Sequence, residues 1–317
     1  MNLSIRFILI ISIFTSLSSS LVFAQNNNIK HCDNVQLQIL GSGGPEIYDG
    51  LASSSYLVWI DNKARVLIDA GGGSSLNFEK SGADFNDLQA ILLSHLHVDH
   101  SAALPVYIKG GFFTARSKNL PLFGPTAGGD FPSTEDFVYA LFSHNQNSVY
   151  PYLSDFVEKA RSTQFILTAK SINPEVTNPK SKIWSKKLNK QLSISAIKVT
   201  HGEIPALAWR VNQGECSITF SGDMNGTSGN LPIIAKNTDI LVAHNAISEQ
   251  AGKMPKYLHM TPSIIGKLAK QAQAKKLVLS HFMYKTASIK EESKRLIRKN
   301  YQGKVVMAKD LLKVSLD

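Results

Sequence analysis

The sequence predicts an α/β protein of layered strands and helices. Short apolar runs of strand length recur along the chain, and several alternate apolar with polar residues as half-buried strands do. Histidine supplies the third observation. Of the nine in 317 residues, all but His31 and His144 stand at the exit of such a run or beside one. The carboxyl ends of strands are where α/β folds build sites. His31 and His144 lack that context and read as structural.

Residues 1–24 read as a targeting segment. Arg6 is their only charge, an apolar run extends from Phe7 to Phe14, and Ala24 before Gln25-Asn26-Asn27-Asn28 suits signal-peptidase cleavage. Ser12, Thr15 and Ser16 break the run, which argues against a permanent span. No later stretch is long and apolar enough to cross a bilayer. Residues 25–317 are therefore expected to be a single exported domain, periplasmic or secreted, with no stable membrane insertion. A hydrophobic content of 43% supports a sizeable core, and the net charge of +10 favours anionic partners or surfaces. Cys32 and Cys216 form no disulfide framework, and whether they pair stays open. No zinc-type cysteine spacing exists, so a metal site must be made of His and Asp.

Val35 to Leu40 alternates and reads as a strand, ending in the turn Gly41-Ser42-Gly43-Gly44-Pro45. No Gly-Lys-Ser/Thr follows, so this is not a P-loop. Ser55 to Ile60 and Arg65 to Ile68 form a hairpin around Asp61-Asn62-Lys63. Asp69 leaves the second strand into Ala70-Gly71-Gly72-Gly73, placed to orient a metal ligand from behind rather than to bind metal itself. A short helix from Ser74 to Lys80 leads to the buried strand Ala90 to Leu93. That strand opens directly into Ser94-His95-Leu96-His97-Val98-Asp99-His100. Three imidazoles and a carboxylate within six residues could hardly all reach one metal in good tetrahedral geometry from so short a segment, whereas two metals could share them with ligands from elsewhere.

The same arrangement recurs downstream. Leu192 to Thr200 ends at His201-Gly202. Ala206 to Val211 and Cys216 to Phe220 form a meander that ends in Ser221-Gly222-Asp223. Asp239 to Ala243 ends at His244, and Leu277 to Leu279 ends at Ser280-His281. Between the central motif and His201, at about 105–190, lies an insert rich in Phe and Tyr. Ser133 caps a helix within it, followed by Glu135-Asp136 in the first turn. The insert is expected to be helical, either an aromatic wall beside the site or a packed subdomain. Lys180 to Lys190 reads as a solvated loop or edge, and Glu291 to Lys299 as a surface helix.

The motifs S-H-L-H-V-D-H, T-H-G, F-S-G-D and L-S-H-F, in this order, resemble those of the metallo-β-lactamase superfamily. The openings I-L-G-S-G-G-P and L-I-D-A-G-G-G are similar to its first strands. Within it the later motifs resemble the ribonuclease Z-like branch and its exported arylsulfatase-like and phosphodiesterase relatives. That branch carries H-E-A where this chain has His244-Asn245-Ala246, and H-S-T where it has His259-Met260-Thr261. Thr261 stands as N-cap and Pro262 at the first helical position.

The resemblance implies an αββα sandwich with two Zn²⁺ ions at one edge, another divalent metal such as Mn²⁺ being the alternative. It implies His95, His97 and His201 on one metal, Asp99, His100 and His281 on the other, and Asp223 bridging both. Asp69, His244 and Asn245 would stand behind these ligands. Two metals lower the pKa of a shared water, so hydroxide is available near neutral pH. Asp99 would hold the remaining proton. His259 would stabilise the ester's anionic group or protonate its leaving oxygen.

The leading expectation is an exported dinuclear zinc hydrolase that uses this bridging hydroxide on a small anionic ester, an aryl sulfate or a phosphodiester, with the arylsulfatase-like substrate slightly favoured. No long arm separates His201 from Asp223, so nucleic acid is an unlikely partner. A ribonuclease Z-like phosphodiesterase or nuclease, a lactonase or β-lactamase, and a non-catalytic metal-binding module are the alternatives. A homodimer stays open.

Overall fold

A computed structural model describes residues 32–316 apart from 159–163 and 179. The targeting segment expected over 1–24, and His31, lie outside the described residues. Within them the chain forms two seven-stranded sheets. In chain order the strands are β1 (Val35–Gly41), β2 (Ser55–Ile60), β3 (Lys63–Ile68), β4 (Ala90–Leu92), β5 (Leu120–Pro125), β6 (Leu167–Ile172) and β7 (Trp184–Lys187). They continue as β8 (Leu192–His201), β9 (Ile204–Gln213), β10 (Cys216–Phe220), β11 (Ile240–His244), β12 (Lys276–Ser280), β13 (Lys304–Met307) and β14 (Lys313–Ser315). The first sheet runs β14-β1-β2-β3-β4-β5-β6 and the second β13-β12-β11-β10-β9-β8-β7.

Alternation divides the inner strands of the first sheet between two cores. Tyr56, Val58 and Ile60 join the large core shared with the second sheet, as do Val66 and Ile68. Leu57, Trp59 and Leu67 point the other way, into a second core with Phe78, Leu104, Ile108, Val138 and Phe142. The β2–β3 turn holds Asp61 and Asn62 at φ 52° and 57°, the left-handed pair that a tight hairpin of this twist requires. Ile265 and Leu268 of the helix Pro262–Gln271, with Ile297 of the helix Lys290–Arg298, close the large core from outside the second sheet. The result is the αββα sandwich.

Strand direction positions the site. β3 and β4 are parallel, as are β10, β11 and β12. β8 runs the same way as β10, each being antiparallel to β9. Their carboxyl ends carry Asp69, Ser94–His100, His201, Asp223, His244 and His281. Trp209 Nε1–H donates to the Leu93 carbonyl at 2.9 Å and the Leu207 N–H to that of Ser94 at 2.8 Å, joining β9 to the end of β4.

Two local expectations change. The segment at about 105–190 is not simply helical. It adds β5 and β6 in parallel to the first sheet and β7 to the edge of the second. Its aromatics mostly pack inward, like Phe142 and Phe156, or face solvent, like Phe113 and Tyr152. Cys32 and Cys216 form a disulfide that spans 184 residues and fastens the approach to β1 onto the start of β10.

Candidate metal centre

Asp223 Oδ2 is the point on which the site converges. It lies 3.9 Å from His95 Nε2, 3.8 Å from His201 Nε2, 3.7 Å from His100 Nε2 and 3.3 Å from His281 Nε2. Asp99 Oδ2 faces His281 Nε2 at 3.1 Å and His100 Nε2 at 3.4 Å. Candidate ligand atoms of His95, His97, His201 and Asp223 all lie within 4.8 Å of one another. Those of His100, His244, His281 and Asp223 do likewise.

Hydrogen bonds behind the rings decide which nitrogens face inward. His201 Nδ1 is 2.8 Å from the Leu258 carbonyl, which can only accept, so Nδ1 carries the proton. His100 Nδ1–H donates to Asp69 Oδ2 at 2.8 Å. Ser94 Oγ–H donates to the same oxygen at 2.8 Å, leaving Oγ to accept from His95 Nδ1–H at 3.1 Å. The Nε2 atoms of His95, His100 and His201 therefore aim into the cluster, buried and without a hydrogen-bond partner. At His100 burial is outweighed by Asp69, Asp99 and Asp223, which raise its ring well above the ordinary imidazole range, so there a metal takes the place of a proton. Bare buried nitrogens are costly unless something satisfies them. Three of them around a carboxylate, each backed by an oxygen at Nδ1, are the donor set of a divalent-metal site. The residues fit the metal.

His244 is within reach of the second group but has both nitrogens engaged. Its Nδ1–H donates to Asp223 Oδ1 at 2.7 Å, and its Nε2 accepts from the Tyr56 hydroxyl at 2.9 Å. It holds the carboxylate from behind rather than joining the converging atoms. Asp69 stands behind His95 and His100 in the same way. Asn245 is buried; its side-chain NH₂ donates to Ser293 Oγ at 3.3 Å, and its Oδ1 has no hydrogen-bond partner. The helix beginning at Pro262 has Thr261 at its N-cap position without a side-chain cap. Glu249 caps it instead, accepting from Ser263 N–H at 2.9 Å and from Thr261 Oγ at 3.3 Å, a carboxylate at the positive end of the helix.

Electrostatics follow from burial and crowding. Burial pushes the His95, His201 and His244 rings below the ordinary imidazole range. Burial opposes ionisation of Asp223, but His281 and His100 outweigh it and hold the carboxyl well below its usual range. The Asp99 carboxyl is lowered too, by His100 and His281 against its burial. His259 is pushed down to about 4, chiefly by burial, so its ring is neutral near pH 7.

Two glycines let the backbone come close. A Cβ on Gly44 would lie 2.7 Å from His281 Cε1, and one on Gly222 2.9 Å from Ser94 Cβ with φ already at +58°. Asp69 and His281 themselves hold φ at 55° and 58°, a conformation that costs free energy and persists where surroundings enforce it.

A cavity of about 350 Å³ opens over His97, Asp99, His201, Asp223, His259 and His281. Its other walls come from residues that carry no chemical signature in sequence, including Pro45, Ile247, Met254 and Met283. Among the described residues no side chain of the insert lines it, although the Phe131 ring stands 5.5 Å from that of His97. The aromatic wall, one of the two readings left open for the insert, is absent from the cavity lining among the described residues. Tyr56 was equally invisible, because in sequence it is one more large residue of a buried strand.

With this geometry, the family known as the β-lactamase superfamily domain matches residues 64–282. The chain belongs to the β-lactamase superfamily. Among its relatives, ribonuclease Z of Enterococcus faecalis is 23% identical over 278 residues, covering 78% of this chain and 86% of that protein. The metallo-β-lactamase fold protein YhfI of Bacillus subtilis superposes with a TM-score of 0.67 at 19% identity, over 88% of this chain and 98% of that one. The short form of human tRNase Z gives 0.68 at 19% identity, over 89% and 99%. These matches agree with the ribonuclease Z-like branch that the motifs resemble, and none of them speaks for aryl sulfates. A superfamily hydrolase built on a His/Asp divalent-metal site is the coarse description they carry.

Proposed function

We propose that the protein is a dinuclear metal-dependent phosphodiesterase. The observation that carries this reading is the set of three buried, unpartnered Nε2 atoms gathered on Asp223, with Asp99 against His100 and His281. The proposed first site is His95, His97, His201 and Asp223, and the second Asp99, His100, His281 and Asp223, with Zn²⁺ the natural occupant of such donors. When bound, the metals supply Lewis-acid charge and a strong nucleophile at neutral pH. The relatives named ribonuclease Z move the balance from the aryl sulfate first favoured to a phosphodiester.

The protein's own groups do the rest. Asp69 and the Leu258 carbonyl keep protons on the outer nitrogens of His100 and His201. The Tyr56–His244 pair fixes the rotamer of Asp223. Asp99, ionised and 6% exposed, is placed to accept a proton from an attacking water. His259 has its side chain 18% exposed on the cavity wall and stays neutral at pH 7. It acts as a hydrogen-bond donor to a phosphoryl or leaving oxygen rather than as a stored proton.

Residues 25–317 form, in this reading, one exported domain. The Cys32–Cys216 disulfide supports that, since such bonds persist in oxidising compartments. The test is hydrolysis of bis(p-nitrophenyl) phosphate and p-nitrophenyl sulfate by zinc-loaded protein, each with and without chelator. Chelator-sensitive turnover of the phosphate diester is expected. Turnover of the sulfate alone would return the assignment to the arylsulfatase.

A further inference from the structure

The cavity above the metal ligands combines polar floor and apolar walls. Its floor is the His/Asp cluster. Its walls are Ile247, Met254, Leu258 and Met283, with Pro45, Ala246 and Pro255 completing them, and no lysine or arginine lines it among the described residues. Despite the net charge of +10, nothing cationic reaches in from the side chains around the mouth. Lys253 and Lys256, on the same short helix as Met254, are exposed but do not line it. A site built to grip a nucleic-acid backbone needs such charges.

Apolar side chains stand exposed on the segments that supply these walls, beside the Glu46 carboxylate and the lysines Lys253 and Lys256. Met254 lines the cavity and is also 70% exposed, so it is reachable by a ligand entering from solvent. The loop that carries Pro45 continues into Ile47 and Tyr48, exposed at 80% and 91%. The loop that carries Met283 continues into Tyr284, whose N–H donates to Glu46 and so ties the two loops together. Methionine packs adaptably and favours aromatic partners, and a cavity of about 350 Å³ lies in the range of small-molecule sites.

We propose that this apolar cup selects esters bearing an aryl-sized apolar group beside the phosphoryl centre, with Met254 and Met283 as specificity-determining residues. The proposal rests on the phosphodiesterase reading for the polar end of the substrate and on the walls for the other end. The phosphoryl oxygens sit over the His/Asp floor, and the ring leaves water against the two thioethers and Ile247.

Binding and turnover test the two ends separately. Calorimetric titration of zinc-loaded protein with phenylphosphonate and methylphosphonate is expected to show the phenyl compound binding about tenfold more tightly, equivalent to about 1.4 kcal/mol. That is the lower end for burying a phenyl-sized group. Met254→Ala, at an exposed position where the fold is not at stake, should reduce the ratio about threefold, and Met254→Ala/Met283→Ala should bring it near one. Equal binding of the two phosphonates, binding of neither, or an unchanged ratio in the double variant overturns the proposal. In parallel, kcat/KM is compared for bis(p-nitrophenyl) phosphate and methyl p-nitrophenyl phosphate. Discrimination between phosphonates without hydrolysis of either diester would leave the cup standing and remove the phosphodiesterase. Equal kcat/KM values with equal phosphonate affinities would do the reverse.

Discussion

Asp69→Asn is the substitution whose consequence can be worked furthest. Asp69 Oδ1 accepts the Ser94 N–H at 2.6 Å, and Oδ2 accepts both Ser94 Oγ–H and His100 Nδ1–H at 2.8 Å. Asparagine keeps one oxygen. With that oxygen on the Ser94 N–H, its NH₂ group confronts two donors. Relief requires Ser94 Oγ to turn away and His100 to move its proton to Nε2, the nitrogen that faces the metal position. Two hydrogen bonds to a charged acceptor are lost, each worth roughly 1.5–3 kcal/mol. Groups of this kind behind a ligand are worth about 10–100-fold in metal affinity, or about 1.4–2.8 kcal/mol. The expected result is zinc affinity at the weak end of that range, close to 100-fold down by order of magnitude, because His95 and His100 are disturbed together. Competition against a chromophoric chelator measures it, with thermal melting of the metal-free proteins to show that both fold. Unchanged affinity in a folded variant would refute the argument that Asp69 sets these two rings.

Other perturbations probe the remaining parts. Asp223→Ala should lose most metal and nearly all activity, seen by metal analysis and turnover, since both candidate groups share this carboxylate. His259→Ala should retain metal but slow turnover by roughly 10² or more; an unchanged kcat would remove it from the chemistry. In metal-free protein, burial opposes the charge on His281, but Asp223 and Asp99 raise it to about 10. Metal must therefore displace a proton, so affinity should climb as pH rises from 7 towards 10, with proton release visible by calorimetry in buffers of different ionisation enthalpy. A flat profile would contradict that charge pairing. Cys32→Ser/Cys216→Ser opens a cross-link spanning 184 residues and should cost up to about 5 kcal/mol in the chain-entropy account. Urea unfolding of both forms reads this directly, and equal midpoints would show the disulfide to be thermodynamically idle.

Sequence and structure agree best where the information is local. The run Ser94–His100 follows a strand whose burial is written in consecutive apolar residues. The exits at Asp69, His201, Asp223, His244 and His281 are likewise set by short-range pattern. Parallel strand direction then gathers these exits at one edge. β5 was hidden because Pro121, Gly124 and Pro125 lower its strand propensity, and β6 because its middle is polar. Tyr56 finds His244 across 188 residues, and the cavity walls unite loops near 45, 250 and 283. Such contacts exist only in the folded chain, and apolar residues like Met254 and Ile247 announce nothing beforehand. Asn245 is placed behind the ligands by its neighbours in sequence, and its bond to Ser293 across 48 residues is another contact that no local pattern announces.

The central claim is that Asp223 stands between two metal positions, and anomalous diffraction from zinc-soaked crystals tests it most directly. The account predicts two peaks per chain, one among His95, His97 and His201 and the other among Asp99, His100 and His281, with Asp223 touching both and His244 touching neither. A single peak, or one coordinated by His244, would contradict it.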